Sequence, residues 1–303
     1  MASRSTFAAS DDLIEPFCLF LENDGRSPVT VMNYRCDLEG LVRWSESRNR
    51  RAFDLRYFAA NDVEPYRDFL ISKFKATTTN RKLAVLKVFL SWGGRLLGLV
   101  EIPRIPNVKL LPRPKSHLPY LSPSDQAELL RCVEARGETQ DVAVIKLMLH
   151  TGIRVSELCA LRWKNVKIAD RKGTLTLYSS KRAKFVEVPL NTPSRNALAR
   201  LRSSREPKAS EMVFTGRSGP MTRRGVVMLL NRYSKIAKLK SLTPGALRQS
   251  FCMNLVSLGV TPYIISRLMA RGSWEPTLFY FAPLPQKIVR ELELEAVERL
   301  KEI

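Results

Sequence analysis

The chain has 303 residues, of which 45% are hydrophobic, and its 50 Lys plus Arg against 29 Asp plus Glu give a formal charge of +21. That length exceeds what one core usually organises, so two domains are expected. The positive excess selects a polyanion, DNA or RNA, as the partner, with a merely basic protein as the bland alternative. The five cysteines form no C-x-x-C pair, and His117 and His150 are the only histidines, which argues against a disulfide framework or a His-rich metal centre. No signal pattern and no bilayer-length apolar run is seen, so a cytoplasmic, membrane-free protein is expected.

Residues 1–10 are Ser/Ala-rich and are predicted to be disordered. From residue 11 to about 103 the pattern is helical. Leu13, Ile14, Phe17, Cys18 and Leu21 fall at helical spacing after the cap candidates Asp11 and Asp12. Ser27-Pro28 starts a second helix, with proline where its missing N–H costs nothing, and Val31, Tyr34, Leu38, Leu41 and Val42 form its buried stripe. A third helix is predicted from about Asp62 to Phe74. A fourth follows Thr77-Thr78-Thr79-Asn80, with Leu83, Leu86, Phe89, Leu90 and Leu97 inward and Arg81, Lys82 and Lys87 on or beside its polar face. Residues 104–119 carry four prolines and four basic residues and read as an extended basic linker.

A larger domain begins at residue 120. Ser122-Pro-Ser-Asp125 caps a helix through Leu129 and Leu130, and a helix from about Asp141 to His150 leads into a Thr151-Gly152 turn. Period-two alternation at 174–178 and 185–190, split by Ser-Ser-Lys-Arg-Ala-Lys, predicts a hairpin. The remainder reads as helical, apart from a Gly/Pro loop at 216–220. Within residues 285–303, Ile288, Val289, Leu292, Leu294, Val297 and Leu300 lie at near-helical spacing.

Four segments carry chemistry when read in order. They are His150-Thr-Gly-Ile-Arg154-Val-Ser-Glu157-Leu158, the hairpin with Lys181, Leu242-Thr-Pro-Gly-Ala-Leu-Arg248-Gln-Ser-Phe251, and Leu268-Met-Ala-Arg271 running on to Leu-Phe-Tyr280. Together they resemble the catalytic domain of the tyrosine recombinases (integrases), which cut and rejoin DNA through a phosphotyrosine. The resemblance implies a mainly α fold with a small β-sheet (α+β). It implies an N-terminal helical core-binding, SAM-like domain over 11–103 and a catalytic domain over 120–303, closing as a clamp on DNA. It also implies a homotetramer on paired recombination sites, with the C-terminal helix at 285–303 docking in cis or in trans. An accessory or directionality factor and nucleoid association fit the same picture.

By that resemblance Tyr280 is the nucleophile, Arg154 and Arg248 clamp the charged transition state, and Lys181 on the hairpin turn protonates the leaving 5′-oxygen, with Lys184 as its competitor. Glu157 orients an arginine or caps structure. Arg81, Lys82, Lys87, Arg182 and Lys184 are candidate DNA contacts. The phosphotyrosine conserves bond energy, so neither a cofactor nor a metal is implied. Three positions depart from the family pattern: Gly245 stands where His or Lys is usual, Arg271 where His or Trp is usual, and Gln249 where His is frequent. An active but divergent recombinase is the reading. A type IB topoisomerase-like strand transferase and a catalytically weakened DNA-binding accessory protein stay open at this point.

Overall fold

The structure, a computed structural model, describes residues 11–58, 60–97, 111, 119–179, 184–240 and 242–269. The chain divides into two compact units, Met1–Lys115 and Ser116–Ile303. The predicted disordered start at 1–10 and the C-terminal helix at 285–303 lie outside the described residues, as does nearly all of the predicted linker.

The first unit is helical: α1 (Asp11–Asn23), α2 (Pro28–Asn49), α3 (Ala60–Lys73) and α4 (Ala76–Leu96). Ser27 caps α2 as the sequence predicts, its Oγ accepting from Thr30 N at 3.2 Å with Pro28 at the first helical position. Apolar residues at helical spacing then meet in one core, where Phe17, Leu21, Leu38, Leu41, Leu86, Phe89 and Leu90 are each at most 2% exposed. Tyr34 packs only at its margin.

Two local features differ from expectation. Helix α4 starts at Ala76, so Thr77–Asn80 lies inside its first turns rather than ahead of it. The polar side chains that mimic a cap are used elsewhere: Thr79 Oγ1 donates to Leu70 O at 3.3 Å. The Asn80 amide holds Leu111 from both sides, donating to its carbonyl and accepting from its N–H, each at 2.9 Å. A 3₁₀ turn at Leu55–Tyr57, which apolar periodicity cannot signal, is capped by Asp54, whose Oδ1 accepts from Arg56 N at 2.9 Å.

The second unit combines α5 (Pro123–Arg136), α6 (Thr139–Thr151), α7 (Val155–Cys159), α8 (Thr192–Ser203), α9 (Arg223–Ile236), α10 (Pro244–Ser257) and α11 (Pro262–Leu268) with an antiparallel sheet. Its strands are β1 (Val166–Ile168), β2 (Gly173–Ser179) and β3 (Lys184–Pro189), in that order. The register Leu175↔Val188 and Leu177↔Val186 sets the predicted hairpin, and β1 adds an edge too short to read from alternation. The predicted loop at 216–220 is instead a minimal hairpin, β4 (Thr215–Gly216) with β5 (Gly219–Pro220), turned through Gly219 at φ 136°. Two-residue strands leave no periodicity to find.

Helix α6 is the axis of this unit. Ala143, Val144, Ile145, Leu147, Met148 and Leu149 are all 0% exposed, so it is packed on every side. Its C-terminus, and the chain leaving it, are therefore rigidly placed.

Candidate active site

Helix α6 stops at Gly152, which adopts the left-handed conformation at φ 60° and donates its N–H to Met148 O at 3.1 Å. A Cβ there would lie 2.5 Å from Phe251 Cδ1, so both backbone conformation and space require glycine. This turn delivers Arg154 to the N-cap of the short helix α7. Glu157 then does two things at once: Oε2 accepts from the Arg154 backbone N–H at 2.8 Å, and Oε1 accepts from Arg154 Nη1 at 2.6 Å. The Glu157 side chain is 11% exposed and that of Arg154 38%, so the carboxylate is the buried anchor and the guanidinium its presented end.

Arg248 comes from α10, far along the chain, to the same turn. Its Nη1 donates to the carbonyl of Gly152, and its Nη2 donates to Met269 O at 2.7 Å, just past α11. The two arginines have separate anchors, Glu157 for Arg154 and the carbonyls of Gly152 and Met269 for Arg248, but Arg248 bonds a residue two places before Arg154. Fixing guanidinium groups through backbone carbonyls and a carboxylate sets their orientation before any anion arrives. Gln249, the next residue, is 5% exposed and faces inward. Gly245 is exposed in the first turn of α10, and among the described residues a Cβ there would meet only Thr243 Oγ1, at an ordinary 3.7 Å.

Beside Arg154 a cleft of about 610 Å³ opens between α7, the chain that follows it and the β2–β3 hairpin. Its lining includes Arg154, Glu157, Arg162, Lys164, Tyr178 and Phe185. Anion binding is the chemistry these groups offer. Among the described residues no cluster of His, Cys, Asp and Glu is arranged to hold a metal ion.

Comparison with known proteins agrees in both units. Residues 119–287 match the phage integrase family, and residues 14–95 match the phage integrase N-terminal SAM-like domain. The tyrosine recombinase XerD of Ralstonia nicotianae is 30% identical over 292 residues, covering 90% of each chain. The chain belongs to the phage integrase family. It is a site-specific tyrosine recombinase. The tyrosine recombinase XerC of Myxococcus xanthus is 29% identical over 286 residues, covering 88% of this chain and 92% of that protein. In fold, the chain is similar to the XerH site-specific recombinase bound to a palindromic difH substrate. The TM-score there is 0.75 at 15% identity, over 97% of this chain and 85% of that one.

Of the recombinase's other candidate residues, Lys181, Arg182, Arg271 and Tyr280 lie outside the described residues. Lys184 opens β3, paired with Ser179. In the helical unit Lys82 is drawn inward, its side chain 12% exposed and its Nζ 2.8 Å from Asp37 Oδ1, while Arg81 also bonds the Asp37 carboxylate. Asp37 is itself only 4% exposed. Lys82 therefore neutralises a buried carboxylate between α2 and α4, a duty that spacing on one helix cannot reveal. Lys87 is exposed.

Sequence reasoning missed the roles of Gly152 and Met269, which act through backbone carbonyls and leave no side-chain signature. Gly152 carried half a signal: a glycine directly after a periodic helix marks a left-handed C-terminal turn. Arg162 and Lys164 were also passed over, since nothing in the local pattern separates them from other exposed cations.

Proposed function

We propose that this recombinase cleaves and rejoins duplex DNA at paired sites, with Tyr280 attacking the scissile phosphate. The attack forms the Tyr280 Oη–P bond as the phenolic proton passes to water, and breaks the P–O5′ bond, leaving a 3′-phosphotyrosine and a free 5′-hydroxyl. Arg154 and Arg248 balance the charge that builds on the non-bridging oxygens. Lys181 supplies the proton to the departing 5′-oxygen, and Arg271 adds a third cationic contact. Reversal by a 5′-hydroxyl from the second site exchanges strands, and repetition on the other strands resolves the four-way junction.

The observation that carries this reading is the bond from the Arg248 guanidinium to the carbonyl of Gly152, two residues before Arg154, which ties α10 to the turn that leads into Arg154. Duplex DNA as substrate is supported by the charge of +21 and by the similar solved proteins. The XerH chain is bound to difH, and a Tn1549 transposon integrase, TM-score 0.74 at 18% identity, is in complex with a circular intermediate DNA. We extend the reading to a tetramer acting on a mobile element or replicon.

Incubation with a supercoiled plasmid carrying two copies of a site recovered by in vitro selection tests the product. Recombinant circles that need both copies are expected. Relaxation that proceeds equally well with one copy or none would instead indicate a topoisomerase-like strand transferase.

A further inference from the structure

The hairpin carries an aromatic pair that the core does not use. Tyr178 and Phe185 are cross-strand partners on β2 and β3, close to residues 180–183, and their rings pack edge-on with centroids 5.4 Å apart. Alternation sends Leu175, Leu177 and Val188 into the core and these two rings outward, where they are 55% and 64% exposed. A solvated outer face normally takes polar residues, so two adjacent rings there call for a cause. Stiffening of the hairpin by a cross-strand pair is one. The surroundings add a second.

Both rings line the cleft beside Arg154, together with the exposed Arg162 and Lys164. Among the described residues of that lining the one acidic residue, Glu157, is bonded to Arg154. Phe185 also borders a neighbouring hollow of about 430 Å³ whose lining carries one cation, Arg267, and one carboxylate, Glu187. Cations interleaved with exposed rings match a polyanion with apolar sugar faces. Two rings make too small an apolar area for a stable protein partner, whose interfaces bury on the order of 1,200 Å² or more.

We propose that Tyr178 and Phe185, flanked by Arg162 and Lys164, grip duplex DNA next to the phosphate bound at Arg154. The rings lie against deoxyribose and exposed base edges, and the two cations meet flanking phosphates. All four are positioning residues, and the proposal rests on the recombinase reading above.

The test is fluorescence anisotropy with a labelled random-sequence duplex over a salt series. The double variant Tyr178→Ser/Phe185→Ser is expected to bind about tenfold more weakly at every salt concentration with an unchanged salt slope. Arg162→Ala and Lys164→Ala should each reduce that slope by roughly one. Thermal unfolding checks that each variant is folded. In a second measurement that needs no destabilising change, fluorotyrosine-labelled protein is titrated with the duplex. The fluorine resonance assigned to Tyr178, by its loss in Tyr178→Phe, is expected to shift.

Unchanged affinity in a folded double variant, or an unmoved resonance at saturating duplex, overturns the proposal. So does loss of self-association without DNA while DNA affinity is kept, which would make the pair a protein interface. Weakened binding by the double variant alongside wild-type protein that forms no covalent adduct would sink the recombinase mechanism but keep the surface. Normal adduct formation with wild-type-like binding by the double variant sinks the surface alone.

Discussion

Gly245 shows how far one missing side chain can be localised. It stands in the first turn of α10, three residues before Arg248, where a Cβ would make an ordinary contact with Thr243 Oγ1 among the described residues. A Cβ can therefore be added at this position without a steric conflict with the described residues. Gly245→His should fold at least as stably, since glycine inside a helix costs up to about 1 kcal/mol relative to alanine, and histidine less. It should also speed covalent cleavage by about tenfold or more if a general base is what the wild type lacks. Single-turnover kinetics on a nicked duplex measure this, and a slower variant would show that the site has settled on a different proton route. His150, at the end of α6, gives a second prediction. Burial, and then the nearby Lys146 ammonium, hold its imidazole pKa below the usual 6.5. The unfolded chain thus takes up a proton as pH falls through about 6.5 while the folded chain resists, and stability declines below that pH by at most about 1.4 kcal/mol per unit. Above that pH the group contributes no slope. Calorimetric melting at pH 7 and pH 5 should show a smaller acid loss in His150→Gln than in wild type.

At the scale of elements, α2 and α4 are joined by charge as well as by packing. Asp37 is buried and bonded to both Arg81 and Lys82. Removing the carboxylate in Asp37→Ala leaves the largely buried Lys82 ammonium without that partner, and a loss of about 3 kcal/mol is expected. Urea unfolding of the variant tests it, and a change within about 0.5 kcal/mol would mean that Lys82 swings out to solvent. Elements with repeated, local signals were legible. Ser27-Pro28 announces α2, and the alternation of Leu175, Leu177, Val186 and Val188 announces the hairpin. What escaped depends on partners far along the chain. Thr79 and Asn80 look like a cap until Leu70 and Leu111 claim their hydrogen bonds. β4 and β5 are too short for any period. In the candidate site, the resemblance named Arg154, Glu157 and Arg248, whereas the carbonyls of Gly152 and Met269 that bond Arg248 are invisible to motif reading.

For the whole molecule, the charge of +21 sets the physics of association. A protein that neutralises six or more phosphates should lose about a thousandfold in affinity between ~50 mM and ~200 mM salt. Anisotropy titration of a labelled duplex over that range measures the slope, and a nearly flat dependence would contradict a phosphate-dominated footprint. Among the described residues no helix is long and apolar enough to cross a membrane. The family matches fall one in each unit, over residues 14–95 and 119–287.

The most direct test of the account is covalent trapping on a nicked duplex carrying the selected site, comparing wild type with Tyr280→Phe. An adduct that survives SDS, is lost in Tyr280→Phe, and falls sharply in Arg154→Ala and Arg248→Ala is predicted. An adduct that persists in Tyr280→Phe, or specific binding with no adduct in wild type, would contradict it.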